Sequence, residues 1–75
     1  MEISLDMLLP GQWVCITSVA TGKDRKQQLR DLGVKNGSRI YCRYVSPSGE
    51  SAALEVKDTI FSLEREDLTR IRGWC

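Results

Sequence analysis

Turn-forming residues recur so closely along this chain that every segment between them is short. Pro10-Gly11, Gly22, Asn36-Gly37 and the 46–50 stretch, Ser-Pro-Ser-Gly-Glu, each interrupt regular structure. The chain is only 75 residues long, and a domain of this size buries only about 60% of the surface that its unfolded form exposes. We therefore expect one small domain, residues 1–75, built from short elements joined by tight turns.

Five of these segments are predicted to be β-strands because they are rich in β-branched, aromatic and alternating apolar residues. They cover residues 12–20, 39–45, 51–57, 60–63 and 69–72. The first segment carries apolar side chains on both faces, so we expect it to be covered on both sides, with Trp13 in the core. Residues 73–75 are predicted to form a tail.

Residues 23–32 contain no Pro, Gly or β-branched residue and favour a helix. Gly33 follows at the position where a left-handed residue ends a helix, and Val34 is its apolar partner. A shorter helical turn is predicted within residues 2–9, where Ser4 is a candidate N-cap. Together these segments predict a mainly β fold: a small, strongly bent antiparallel barrel of five strands with one short helical insertion.

Charge and hydropathy argue against several classes of function. Lys+Arg is 11 and Asp+Glu is 10, a net charge of +1, whereas a dedicated nucleic-acid binder uses an excess of cations to neutralise phosphates. No apolar run approaches the roughly 20 residues that cross a membrane as a helix. The start, Met1-Glu2-Ile3, lacks the basic and apolar regions of a signal peptide. We therefore expect a cytoplasmic protein that binds no nucleic acid.

The sequence also lacks the residue patterns of common catalytic sites. The chain has no histidine, the commonest general base and transition-metal ligand, and no Gly-rich phosphate loop. The carboxylates of Glu64, Glu66 and Asp67 surround Arg65 and fit a solvated turn better than an acid/base pair. We predict no catalytic residue, no cofactor and no metal site, and hence no enzyme.

The three cysteines form no CxxC pair, and their odd number does not suggest a disulfide framework. Cys15 and Cys42 lie in apolar segments and are predicted to be buried as small hydrophobic side chains. Cys75, the last residue, is predicted to be exposed. A metal sensor that uses these thiolates, or the carboxylates at 64–67, stays open as an alternative.

Several short turn and core motifs follow one another in a fairly specific order and spacing. They are Ser4-Leu5, Pro10-Gly11-Gln12, Ile16-Thr17-Ser18-Val19, Leu29-Arg30-Asp31-Leu32-Gly33-Val34, Asn36-Gly37-Ser38-Arg39-Ile40, Ile60-Phe61-Ser62-Leu63, Arg65-Glu66-Asp67-Leu68 and Ile71. No single motif is specific, but together they cover nearly the whole chain. In this order they resemble the FeoA family (ferrous iron transport protein A).

The resemblance implies an SH3-like barrel of five strands with a helical insertion. It also implies a cytoplasmic accessory of bacterial ferrous iron uptake, which acts by protein contact rather than by catalysis. The implied partner is the large membrane iron transporter FeoB, and the protein would be peripheral to the membrane through that partner only. Three places depart from the family pattern. The turn Lys57-Asp58-Thr59 lies where many relatives have a Gly, Glu64 stands where many have Arg, and Gln27-Gln28 stand where relatives are often more apolar.

The predicted partner-binding residues lie on the helix, on the loop after it and on the turn near the C-terminus. They are Lys26, Arg30, Lys35, Asn36, Arg65 and Glu66. A small nucleic-acid-binding barrel is a further alternative, because one strand carries cations and rings that can contact a single strand. Its residues are Arg39, Tyr41, Arg43 and Tyr44. The net charge of +1 predicts that such binding would be weak and sensitive to salt.

Overall fold

Six strands form a single antiparallel sheet in the computed structural model, which describes residues 1–75. The strands are β1 (Glu2–Ser4), β2 (Trp13–Val19), β3 (Arg39–Val45), β4 (Ser51–Val56), β5 (Thr59–Glu64) and β6 (Ile71–Trp74). Their order across the sheet is β1-β6-β2-β3-β4-β5. The helical elements are α1 (Lys23–Leu32) between β2 and β3, α2 (Arg65–Leu68) between β5 and β6, and a 3₁₀ turn (Leu5–Met7) after β1.

The prediction of a mainly β fold is confirmed, but the sheet has a sixth strand in addition to the five predicted ones. Residues 2–9 are helical only at Leu5–Met7, and Glu2–Ser4 pair with β6 instead. The predicted tail at 73–75 is wrong for the same reason, because Trp74 lies opposite Glu2. Strand β1 pairs only with β6 and carries no strand signal of its own, whereas β6 begins within the predicted strand 69–72 and extends past it to Trp74.

Alternate residues of the strands supply the core, and no polar or charged side chain is buried with them. Strand β4 shows the alternation most clearly, since Ala52, Leu54 and Val56 face inward. The helices add one leucine each to the same cluster: Leu29 from α1 and Leu68 from α2. Both helices are therefore fixed to the sheet by apolar contacts.

The outer face of β2 departs from the prediction that this strand is covered on both sides. Val14 and Ile16 are buried, but Trp13 is 51% exposed and Cys15 is also exposed. The predicted burial of Trp13 and Cys15 is therefore wrong. The apolar residues on both faces of β2 resemble a doubly covered strand, yet only the inward face packs on the core.

Helix α1 ends in the way that its sequence predicts. Gly33 has the left-handed conformation, with a φ of 101°. The Val34 N–H donates to the Leu29 carbonyl at 2.8 Å, and the Gly33 N–H donates to the Arg30 carbonyl at 2.9 Å, which is the Schellman pattern. A Cβ at Gly33 would lie 3.0 Å from Val56 Cγ1, so the end of the helix packs directly against β4.

Gly73 lets β6 pass closely between its two neighbours. It pairs with Ile3 of β1 on one side and with Ile16 of β2 on the other. A Cβ at this position would lie 2.5 Å from Val14 Cγ2 and 2.6 Å from the Cys15 carbonyl oxygen. These distances are far inside van der Waals contact, so a larger residue cannot fit without moving β2.

We expect Gly73→Ala to lower the free energy of unfolding by about 3 kcal/mol, because the new methyl group must displace Val14 or the β2 backbone. Urea denaturation followed by tryptophan fluorescence measures the change. Gly22→Ala is the matched control, since a Cβ there meets nothing within 4 Å, and it should cost less than about 1 kcal/mol. Equal losses in the two variants would contradict the close approach of β6.

Lys57 is strained by the hairpin that it starts. It is the first residue of the two-residue loop between Val56 and Thr59, and the favoured loops of this length need a positive φ at that position. Its φ is 54°, and no other residue except glycine has a positive φ. A left-handed conformation brings the Cβ of a non-glycine residue close to the following carbonyl oxygen, which costs energy.

We expect Lys57→Gly to raise the free energy of unfolding by about 0.5–1 kcal/mol, because the relieved strain exceeds the extra entropy that glycine loses on folding. The control Asp58→Gly changes the second loop residue, which does not have a positive φ, and it should lower stability. Thermal unfolding of both variants measures the difference. A loss in Lys57→Gly alongside a gain in Asp58→Gly would contradict this explanation.

Candidate functional site

A cleft lies where the end of β2 meets helix α1 and the turn before β3. Its volume is about 220 Å³. Seven residues line it: Thr17, Ser18, Val19, Lys26, Arg30, Lys35 and Asn36. Four of the six predicted partner-binding residues therefore share one concave surface, which we call the basic cleft.

A bulge in β2 turns the end of this strand toward the cleft. Ile16 and Ser18 pair with consecutive residues of β6, which leaves Thr17 between them as an extra residue. Bulges of this kind bend a strand and redirect its side chains. No local sequence signal marks the bulge, so the contribution of residues 17–19 to the site was not predictable from the pattern of β2.

Two backbone hydrogen bonds hold the turn before β3 against β2. The Gly37 N–H donates to the Ile16 carbonyl, and the Ile16 N–H donates to the Ser38 carbonyl, both at 2.8 Å. Within the turn, the Ser38 N–H donates to the Lys35 carbonyl, and Gly37 has a φ of 89°. One positive φ at this position is typical of a type II turn, not of the mirror-image turn that an Asn-Gly pair favours. The anchored turn carries Lys35 and Asn36 into the cleft.

Helix α1 supplies the other two cations of the cleft. Leu29 faces the core and is fully buried, while Lys26 and Arg30 are exposed. These two cations are four residues apart, a spacing that makes them neighbours on the helix surface and slightly destabilises an isolated helix. Helix stability therefore does not explain why they are together.

The cations of the basic cleft have no carboxylate partner within the chain. The four ion pairs use Arg25, Arg43, Arg65 and Arg72. No Asp or Glu is among the residues that line the cleft. Lys26, Arg30 and Lys35 therefore concentrate positive charge on one small surface of a protein whose net charge is only +1.

Arg30 and Lys35 also line a second cleft, of about 190 Å³, beside the loop between β4 and β5. Lys57 adds a third cation there, but Asp31 adds a carboxylate. The basic cleft is therefore the more uniformly positive of the two, and the second cleft extends the positive surface beyond Arg30 and Lys35.

The other two predicted partner-binding residues, Arg65 and Glu66, lie on α2 and line neither cleft. Arg65 Nη2 is 3.9 Å from Asp6 Oδ2, and the Arg65 N–H donates to the Glu50 carbonyl at 2.7 Å. The predicted surface is thus two separate patches. Only the patch formed by α1 and the turn after it is concave.

An ion pair links the two helices. Arg25 Nη2 and Nε donate to Asp67 Oδ2 at 2.6 and 3.1 Å. The hydrogen bond to this carboxylate raises the pKa of the Arg25 guanidinium above its usual value, so the guanidinium keeps its charge. Arg25 is thereby directed toward α2, while the next residue, Lys26, lines the basic cleft.

The outer face of the sheet carries an aromatic pair, formed by the exposed Trp13 and the half-buried Tyr41. Their ring centroids are 5.0 Å apart, and the Arg39 guanidinium carbon lies 4.9 Å from the Trp13 ring centroid. Arg43 is held in an ion pair, and a bulge in β3 leaves Tyr44 57% exposed. Of the four strand residues considered for nucleic-acid contact, Arg39 is thus stacked on Trp13 and Arg43 is paired with Glu55.

The cysteines are dispersed through the fold. Cys42 is buried as predicted, and desolvation raises the pKa of its thiol above the usual value. Cys75 is exposed as predicted, and Cys15 is exposed as well. No group of three or more Cys, Asp or Glu side chains is placed to hold a metal ion, so the thiols and the carboxylates at 64–67 do not converge. None of the helices is long and apolar enough to cross a membrane.

Solved structures share this fold. A structure of an iron uptake regulatory protein (FeoA) gives a TM-score of 0.88 at 19% sequence identity, over 99% of this chain and 97% of that chain. A FeoA-like protein from Clostridium acetobutylicum gives 0.81 at 21% identity, over 96% and 84%. A manganese-dependent transcriptional repressor gives 0.86 at 9% identity, over 97% of this chain and 41% of that chain. At these identities the likeness shows the fold alone.

Sequence comparisons complete the assignment. None of the curated proteins compared with this chain matches it. The model of the FeoA domain matches residues 3–73, which includes all six strands except the first residue of β1 and the last residue of β6. Because this match covers nearly the whole chain, the protein belongs to the FeoA domain family.

Proposed function

We propose that this protein is a cytoplasmic accessory of bacterial ferrous iron uptake, and that it acts by contact with the membrane iron transporter FeoB. Membership of the FeoA domain family supports the link to ferrous iron. The observation that carries the contact is the basic cleft, where three cations have no ion partner and no carboxylate among the lining residues. Such uncompensated charge is favourable where a partner of opposite sign binds.

Binding, rather than catalysis, is the activity that the cleft supports. Its side chains are cations, two hydroxyls, an amide and one valine. Lysine and arginine hold an anionic group by charge-assisted hydrogen bonds, and the hydroxyls and the amide can orient it. One of the hydroxyls, Thr17 Oγ1, donates to the Glu2 carboxylate, and the chain has no histidine, the commonest general base for a hydroxyl nucleophile.

The cleft is preformed, which reduces the entropy lost on binding. The Schellman end of α1 and the hydrogen bonds between the turn and β2 fix the backbone that carries the cations. An accessory protein can change the activity of a transporter only if it binds one conformation of that transporter more tightly than another. We therefore propose that the protein acts as a conformational regulator of FeoB.

The test is a titration of the purified protein with the cytoplasmic domain of FeoB and with full-length FeoB in detergent, with and without guanine nucleotide. We expect saturable binding that Lys26→Glu weakens about tenfold or more, because the reversed charge repels an acidic partner surface. Lys23→Glu is the matched control, since it makes the same change at an exposed position of α1 outside both clefts.

Thermal unfolding of each variant separates a loss of binding from a loss of fold. Binding that is lost in Lys26→Glu and kept in Lys23→Glu supports contact through the basic cleft. No binding in any nucleotide state contradicts the proposed function. Equal weakening by the two variants indicates a general effect of charge and contradicts the assignment of the cleft.

A further inference from the structure

We propose that the basic cleft receives a side-chain carboxylate from an acidic peptide segment of the protein partner. This inference rests on the proposed function and specifies the chemistry of the partner. The lining residues provide three cations, which are Lys26, Arg30 and Lys35. None of these three cations takes part in the four ion pairs of the chain. An anionic ligand would therefore displace water but no carboxylate of the protein itself.

One wall of the cleft already holds a carboxylate of this chain. Thr17, which lines the cleft, donates from Oγ1 to Glu2 Oε2 at 2.8 Å. The other oxygen, Glu2 Oε1, is 3.6 Å from Arg72 Nε. A hydroxyl and a guanidinium thus hold a carboxylate beside the cleft, and Arg72 offsets its charge. The lining supplies one more donor of each kind, the Ser18 hydroxyl and the Arg30 guanidinium. The edge of the cleft therefore already holds a carboxylate, the group that we propose the partner supplies.

The volume of the cleft matches one side chain. Pockets for drug-sized ligands measure roughly 300–1,000 Å³, and the basic cleft measures about 220 Å³. An Asp or Glu side chain fits this space together with a few waters, whereas a whole nucleotide would extend beyond it. The two oxygens of a carboxylate can accept from ammonium groups and hydroxyls on different walls at the same time.

The second cleft indicates the path of the peptide. Arg30 and Lys35 line both clefts, so a segment that crosses these two residues can direct a second carboxylate toward Lys57. Asp31 also lines the second cleft and opposes an anion there. We therefore expect the carboxylate in the basic cleft to contribute most of the affinity.

The experiment titrates ¹⁵N-labelled protein with a capped peptide of alternating Glu and Gly residues, and with a matched peptide in which Gln replaces Glu. We expect saturable changes in the amide signals of residues 17–19 and 35–37 with the Glu peptide only. Lys26→Gln should weaken this binding about tenfold, the effect of losing one charge-assisted hydrogen bond. Lys23→Gln, at an exposed position outside the clefts, should leave the affinity unchanged.

Several outcomes would overturn the inference. They are the absence of saturable changes, equal binding of the Glu and Gln peptides, and changes centred on Trp13 and Tyr41 of the outer face. The same titration is carried out with inorganic phosphate. If phosphate binds as tightly as the peptide, the cleft is a general oxyanion site instead. If Lys26→Gln leaves FeoB binding unchanged, the cleft is not the contact surface, although the proposed binding to FeoB still holds. Peptide binding without FeoB binding would support the cleft as a carboxylate site and contradict the proposed function.

Discussion

The backbone of β2 at Ile16 is held from both sides, and much of the structure depends on this position. On one side Ile16 pairs with Gly73, which can come so close to β2 only because it has no Cβ. On the other side its N–H and carbonyl bond to the turn at Gly37 and Ser38. Its side chain is buried in the core. Ile16 thus connects three parts of the structure: the pairing of β2 with β6, the core, and the turn before β3.

The basic cleft follows from this arrangement. The bulge at Thr17 comes directly after Ile16 and bends the end of β2 toward α1. The turn that bonds to Ile16 brings Lys35 to the same place, and the Schellman end of α1 fixes Arg30. The cleft is therefore shaped by backbone hydrogen bonds and core packing. The charged side chains of the cleft take part in none of the four ion pairs of the chain.

Much of the fold could be predicted because its signals are local: turn residues, alternating strands and the helix end at Gly33. Strand β1 could not, since it exists only through pairing with the far end of the chain. The exposure of Trp13 was missed because an apolar strand face has the same sequence pattern whether or not another layer covers it. For the site, helical spacing and proximity in sequence grouped the four cleft residues, but Arg65 and Glu66 lie on another patch, which only the tertiary structure reveals.

The central claim is that the protein meets FeoB through the basic cleft. The most direct test compares ¹⁵N–¹H correlation spectra of the labelled protein with and without the unlabelled cytoplasmic domain of FeoB. We predict that the amide signals of residues 17–19, 26–30 and 35–37 change on addition, while those of Trp13 and Tyr41 on the outer face do not. Changes confined to the outer face, or none at saturating concentration, would contradict the claim.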